Sequence, residues 1–352
     1  MKKLGKAVLF LLILTLLLAL FNRILMPDTE FRADTKEIGS RVDYIVLGTS
    51  NVFYCVNPVI IWNETGYTGY DLSLEQAPLI ITYYQLKEEL KEVDVQTVYL
   101  DCAAFEYNYG VPSMNQLALD KMPLSLDKLK LVSQLGEDDA DHHVAAEATY
   151  DKINYLLPLY TFHDRWKEIP EGTLKSRYHE KYEHTFAGYV ANKDHYVFKK
   201  DYRWLPTMEE FGGVFETQIT DVNRTWFGKI RTLCEEKGIE LVLIKTPSKG
   251  WLSEMHVSMQ AFAREEGLEF LDMNEETVIA ALGLDEQNDF CDTSSHFNIY
   301  GTEKISRYLA RYMEEKRAYT DKRIKGTGTN AYWNRLYEEY LEYKNTDAQE
   351  AG

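Results

Sequence analysis

Cysteine is scarce in this chain. Four residues, Cys55, Cys102, Cys234 and Cys291, are spread over 352 positions. That spread excludes a disulfide-dense scaffold, and no CxxC pair offers the corner of a zinc ribbon. Positive charge is also short: 39 Lys and Arg face 56 Asp and Glu, a formal net charge of −17. No basic run is long enough to form the patch that a polyanion requires, so nucleic acid is excluded as a partner. Neither GxxxxGK nor GxGxxG occurs, and no nucleotide cofactor is expected. His179 and His184 flank Glu180 and Glu183, but their spacing of five rotates them about 140° apart on a helix, against the four-residue spacing of a zincin pair. No metal is expected there, and adjacent His142 and His143 read as solvated. Internal repeats and low-complexity tracts are lacking too. What is present is 45% hydrophobic residues, enough for a sizeable core and too many for a disordered chain. At roughly 150 residues per domain, the length allows one large domain or two small ones.

The single long apolar run lies at the N-terminus. Lys2, Lys3 and Lys6 precede residues 7–21, which only Thr15 interrupts. Extended to Met26, the segment gives about 20 residues and about 30 Å of helix, the thickness of a bilayer core. Lysines before the run place its start in the cytoplasm, and Arg23 can snorkel at the far interface. A cleaved signal peptide is the alternative, although no clean A-x-A site follows. Either way the rest of the chain is expected outside the cytoplasm, and the anchor reading makes this a single-pass cell-membrane protein. Residues 1–30 are thus assigned to the cytoplasmic end and anchor.

Beyond a polar stretch at 27–41, strand-like and helix-like patterns alternate. Apolar, β-branched runs at 42–47 (VDYIVL), 69–74, 97–102, 240–245 (ELVLIK) and 268–273 predict five strands. Helical periodicity predicts helices at 78–93, 218–237, 253–266 and 299–315, with Gly238 and Gly267 as stops. Near-continuous apolar strands alternating with helices imply an α/β, three-layer domain with a parallel sheet, over 42–315. Residues 103–217 break the alternation and read as an insertion or cap, with helices near 127–135 and 145–157. Residues 316–352 read as a polar tail with a short helix at 332–344.

Ligands of an open parallel sheet bind outside the carboxyl ends of its strands. Two segments fall there. Gly48-Thr49-Ser50-Asn51 follows the first strand directly. A serine at such a turn exposes its oxygen beside backbone N–H groups that can receive an oxyanion. Asp289-Phe-Cys-Asp292-Thr-Ser-Ser-His296 precedes the last helix. A carboxylate near the histidine can hold its tautomer while the other ring nitrogen takes a proton from a serine. The chain order is Ser…Asp…His, with Asp292 or Asp289 as the acid.

This pattern resembles the SGNH (GDSL-like) hydrolase superfamily, and within it the membrane-anchored extracytoplasmic branch of teichoic-acid D-alanylation and alginate O-acetylation proteins. The resemblance covers about residues 42–110 and 216–315, supported by TVYLD and LVLIKTPSKGW. It implies a flavodoxin-like three-layer fold and a serine esterase or acyltransferase with Ser50, His296 and Asp292 as its triad. It also implies a membrane-bound O-acyltransferase as donor partner and a cell-envelope glycan as acceptor. The chain departs from the family in its acid, four residues before the histidine where three is usual, and in lacking the second-block glycine and the third-block asparagine. Oxyanion or cleft candidates are Asn51, Ser73, Gln76, Thr246, His163 and Arg165, the last as a ligand for an anionic acceptor. The alternatives from other classes are a non-catalytic envelope scaffold that keeps the fold, and a glycan-binding protein using aromatic clusters such as 105–109.

Overall fold

A computed structural model describes residues 2–25, 38–122, 124–136, 152–171, 184–197, 203–213, 215, 217–293, 296–323 and 328–346. His142, His143, His179, Glu180, Glu183, most of the 27–41 stretch and the first part of the helix expected at 145–157 lie outside the described residues.

Helix α1 (Lys2–Leu25) carries lysines in its first turns and an apolar middle, and its segment Lys3–Asn22 is long and apolar enough to cross a membrane. The domain begins with β1 (Arg41–Leu47), the short α2 (Ser50–Phe53), α3 (Pro58–Thr65), β2 (Gly69–Asp71), α4 (Leu79–Glu89) and β3 (Asp94–Asp101). A 3-10 turn (Cys102–Glu106) leads to α5 (Pro112–Lys121), α6 (Leu126–Gln134), α7 (Ile153–Leu156), α8 (Pro158–Phe162) and a second 3-10 segment (His163–Glu171). Then come the hairpin β4 (Thr185–Phe186) and β5 (Tyr189–Val190), followed by α9 (Met208–Phe211). The alternation resumes with α10 (Asp221–Lys237), β6 (Glu240–Lys245), α11 (Ser253–Glu266), β7 (Phe270–Asp272), α12 (Glu276–Leu282), α13 (Ile299–Lys316) and α14 (Gly328–Asn345).

The main sheet has five parallel strands in the order β2-β1-β3-β6-β7, the flavodoxin-like order with its switch point beside β1. Period-two alternation divides each strand between two cores. Ile45, Leu47, Val98, Leu100, Leu241 and Leu243 join the core under α4, α10 and α11, whereas Tyr44, Val46, Tyr99, Val242 and Ile244 face α12 and α13. Both faces are covered, which is why these strands read as apolar runs. Gly238 and Gly267 adopt left-handed φ values of 67° and 69° and stop α10 and α11, where a Cβ would be strained.

Two strands are shorter than the apolar runs suggest. β2 ends at Asp71 and β7 spans only Phe270–Asp272, because the chain leaves the sheet to form the loops at its carboxyl edge. The C-terminal helix is longer and more deeply packed than a tail. Trp333 is fully buried and stacks on Trp62 with ring centroids 5.7 Å apart, and buried Tyr340 donates to Glu303 at 2.9 Å. All four cysteines are buried free thiols.

Candidate active site

The turn after β1 is tight for a steric reason. A Cβ at Gly48 would lie 2.8 Å from Asp101 Cβ and 2.6 Å from Val52 Cγ2, so only glycine lets the strand end pass this close to β3. Thr49 then caps α2 with extended backbone, its hydroxyl accepting from Asn51 N–H at 3.4 Å. Ser50 is the first residue of that helix and is half-buried.

His296 reaches Ser50 from a second loop. Phe290 and Phe297 pair as an antiparallel bridge, and Cys291 N–H donates to the His296 carbonyl at 3.0 Å. The strand-like ends leave Asp292 at the mouth of the turn. Its Oδ2 lies 2.6 Å from His296 Nδ1, and its Oδ1 accepts the His296 backbone N–H at 3.2 Å. His296 Nε2 is 3.0 Å from Ser50 Oγ. One carboxylate therefore grips both the ring and the backbone of the histidine four residues on. Asp289 does something else: its Oδ2 pairs with Lys304 Nζ at 2.6 Å and accepts Asp285 N–H at 2.6 Å. Of the two acids left open by the sequence, Asp292 is the one bonded to the histidine.

Helix α13 fastens the two loops together. Asn298 caps it, accepting from Tyr300 and Gly301 N–H at 3.0 and 3.3 Å while its amide donates to Asn288 O at 2.7 Å. From the same helix Thr302 donates to Tyr54 O at 2.6 Å, and Ser306 accepts Asn57 N–H at 2.8 Å. The serine turn and the histidine loop, some 240 residues apart in sequence, thus share one strut. The Tyr54 ring rests 4.8 Å from the imidazole and walls it from one side. On the outside, the segment at 192–196 pairs with the loop through Tyr196 and Phe290 and through Asn192 O, which accepts Ile299 N–H at 2.8 Å.

The remaining candidates fare unequally. Ser73 lies beside the nucleophile turn, since Leu74 N–H donates to Gly48 O at 3.2 Å, but its own N–H is taken by Asp71 at 2.6 Å. Thr246 is buried, and both its N–H and its hydroxyl donate to Asp101 Oδ2 at 2.8 Å. It therefore braces β3 against β6 and offers no free donor to a ligand. Asn51 is half-buried beside Ser50. Arg165 is a correction: the guanidinium is only 2% exposed and donates to Leu25 O at 2.9 Å, so it caps the end of α1 and does not present itself to an anionic acceptor. His163 is exposed, with Nδ1 on Tyr160 O at 2.7 Å and Nε2 by Asp164 at 2.9 Å. Its partners are local to its own turn.

Gln76 carries the unusual backbone. Its φ of +50° is left-handed, a conformation that costs a non-glycine residue about 1–2 kcal/mol and that recurs at functional turns. Gln76→Gly keeps this backbone at no steric cost. We expect stability within about 1 kcal/mol of wild type by urea titration, with any ester turnover lowered about 10²-fold if the Gln76 amide is an oxyanion donor. Full turnover would remove Gln76 from the oxyanion candidates.

Two buried acids at the strand ends were not singled out by sequence. Asp101 N-caps the 3-10 turn by accepting Ala103 N–H at 2.8 Å and stands 4.0 Å from buried Lys245. Asp71 has one oxygen on Ser73 N–H, and burial pushes its carboxyl up to about 8, against the opposing pull of Ser73. An unfolded aspartate titrates near 4, so unfolding releases a proton between about pH 4 and 8, and stability falls as pH rises through that window. Asp71→Asn is expected to flatten the pH dependence of the thermal midpoint there. An unchanged slope would assign it to other groups.

No family model matches the chain, and no curated protein matches it. Among solved structures it is similar to a "putative acylhydrolase" from Bacteroides fragilis, at 9% identity over 84% of this chain and 92% of that one, with a TM-score of 0.35.

Proposed function

We propose that this chain is a serine acyltransferase or esterase that works at the outer face of a membrane on acyl groups of a cell-envelope glycan or polymer. The reading is carried by one observation, the unbroken run Ser50 Oγ–His296 Nε2 at 3.0 Å and His296 Nδ1–Asp292 at 2.6 Å. In this mechanism His296 takes the Ser50 proton as Oγ attacks the acyl carbonyl, and then returns it to the leaving oxygen. Water or an acceptor hydroxyl, deprotonated by the same imidazole, releases the acyl group from the serine. Asp292 fixes the tautomer and stabilises the imidazolium. The Ser50 N–H is the first oxyanion donor. The glycan acceptor and a membrane-bound O-acyltransferase as donor partner rest on the family resemblance.

A second reading, a scaffold that keeps the fold without turnover, draws support from the donors. The N–H groups of Ser73 and Thr246 are committed to Asp71 and Asp101, which leaves fewer groups for an oxyanion. Hydrolysis of p-nitrophenyl acetate by the detergent-solubilised chain separates the two. Turnover above the buffer rate that partitions toward an added polyol identifies a transferase, and turnover indifferent to the polyol an esterase. A rate equal to that of His296→Ala would favour the scaffold.

A further inference from the structure

We propose that the face formed by α6, α7, α8 and the 3-10 segment after α8 is a membrane foot, inserted in the interfacial layer of the bilayer that α1 crosses. The proposal rests on the anchor reading of α1 and is independent of the catalytic one. The domain is docked to the anchor at this corner. α1 packs against α8 and against the 3-10 segment, and Arg165, itself buried, bonds the last carbonyl of α1. Around that junction the structure leaves large apolar side chains in the open: Leu126 is 75% exposed, Leu157 51%, Tyr160 62% and Trp166 58%. The elements carrying them adjoin in a chain, α6 to α7, α7 to α8, and α8 to the 3-10 segment and α1.

Such a run of exposed apolar residues on neighbouring elements is costly in water and marks a surface that something covers. The occupant follows from continuity. The face begins where an apolar, uncovered helix of bilayer length ends, so it lies at the depth of the headgroups if α1 spans. Tyr and Trp are the side chains that favour that depth, because each has an apolar body and a polar tip. Exposed Lys130, Lys152 and Lys167 lie on or beside the same elements in a chain of net charge −17, Lys152 donating to Ser133 O at 3.3 Å and Lys167 standing 3.7 Å from Asp164. Those lysines suit anionic headgroups, each near-surface cation attracting them locally. A foot of this kind would hold the sheet at a fixed tilt over the membrane.

The test uses the full chain in vesicles of phosphatidylcholine and phosphatidylglycerol. The native thiols are all buried, so single surface cysteines can be labelled with an environment-sensitive fluorophore. Leu126→Cys, Leu157→Cys and Trp166→Cys probe the foot, Leu14→Cys probes the anchor, and Arg311→Cys on α13 reports the opposite layer, with folding verified by circular dichroism. We expect brominated lipid to reduce emission about twofold at the three foot positions and at Leu14, and not at Arg311. Quenching at Leu14 alone would overturn the foot and leave the anchor standing. Loss of quenching at Leu14 as well would overturn the anchor and the foot with it. Foot labels shielded from both brominated lipid and aqueous iodide would assign the face to a second copy of the chain, and overturn the lipid assignment.

Discussion

Ser50→Ala is expected to lower ester turnover by about 10³- to 10⁶-fold, the range seen when a serine nucleophile is removed from a working triad. The large effect follows from how little else can replace it. Ser50 Oγ is the group bonded to His296 Nε2, and without it the imidazole has no nucleophile to deprotonate. Binding and the oxyanion donors can still leave a residual rate above water. Stability should hardly change, because Ser50 is half-buried and its backbone carbonyl, not its hydroxyl, accepts Tyr54 N–H within the turn. Steady-state esterolysis alongside a thermal melt checks both parts. Turnover within about threefold of wild type would contradict a nucleophilic Ser50.

Asp292→Asn is the second large effect, expected to reduce turnover by about 10²- to 10⁴-fold with the fold intact. An amide can present its N–H to Nδ1, which favours the tautomer with the proton on Nε2, the wrong one for a base facing serine. The carboxylate is 40% exposed, so solvent screening trims its contribution and the lower part of that range is the better expectation. Asp289→Asn makes a useful contrast. Asp289 is held by Lys304 and Asp285 at the base of the loop, so its loss should weaken stability more than turnover. The reverse ranking, with Asp289 the more damaging position for turnover, would transfer the orienting role to it.

Much of the fold could be read from local pattern. The α/β alternation, the five parallel strands and the glycine stops at 238 and 267 all depend on residues near each other in sequence. The serine was legible because it follows a strand end, and the histidine because it precedes a capped helix. Other features depend on contacts that no short window contains. The choice of Asp292 over Asp289 depends on a turn closed by Phe290 and Phe297. The struts from Thr302 and Ser306 reach back about 250 residues. Thr246 sits at the end of its strand, as expected for a cleft residue, yet buried Asp101 claims both of its donors. Arg165 reads as a ligand for anions until the end of α1 is seen to occupy it. The C-terminal helix reads as a tail because its two buried aromatics, Trp333 and Tyr340, find partners far upstream in α3, the β4–β5 hairpin and α13.

Peptide mapping of the fluorophosphonate adduct tests the central claim most directly. The full chain in detergent is incubated with the probe at neutral pH, digested and sequenced by mass spectrometry, in wild type and in His296→Ala. A phosphonyl group on Ser50, formed in wild type and at least about 10²-fold more slowly in His296→Ala, is the expected result. An adduct on another residue, or no adduct on the folded wild-type chain, would contradict a serine nucleophile at this site.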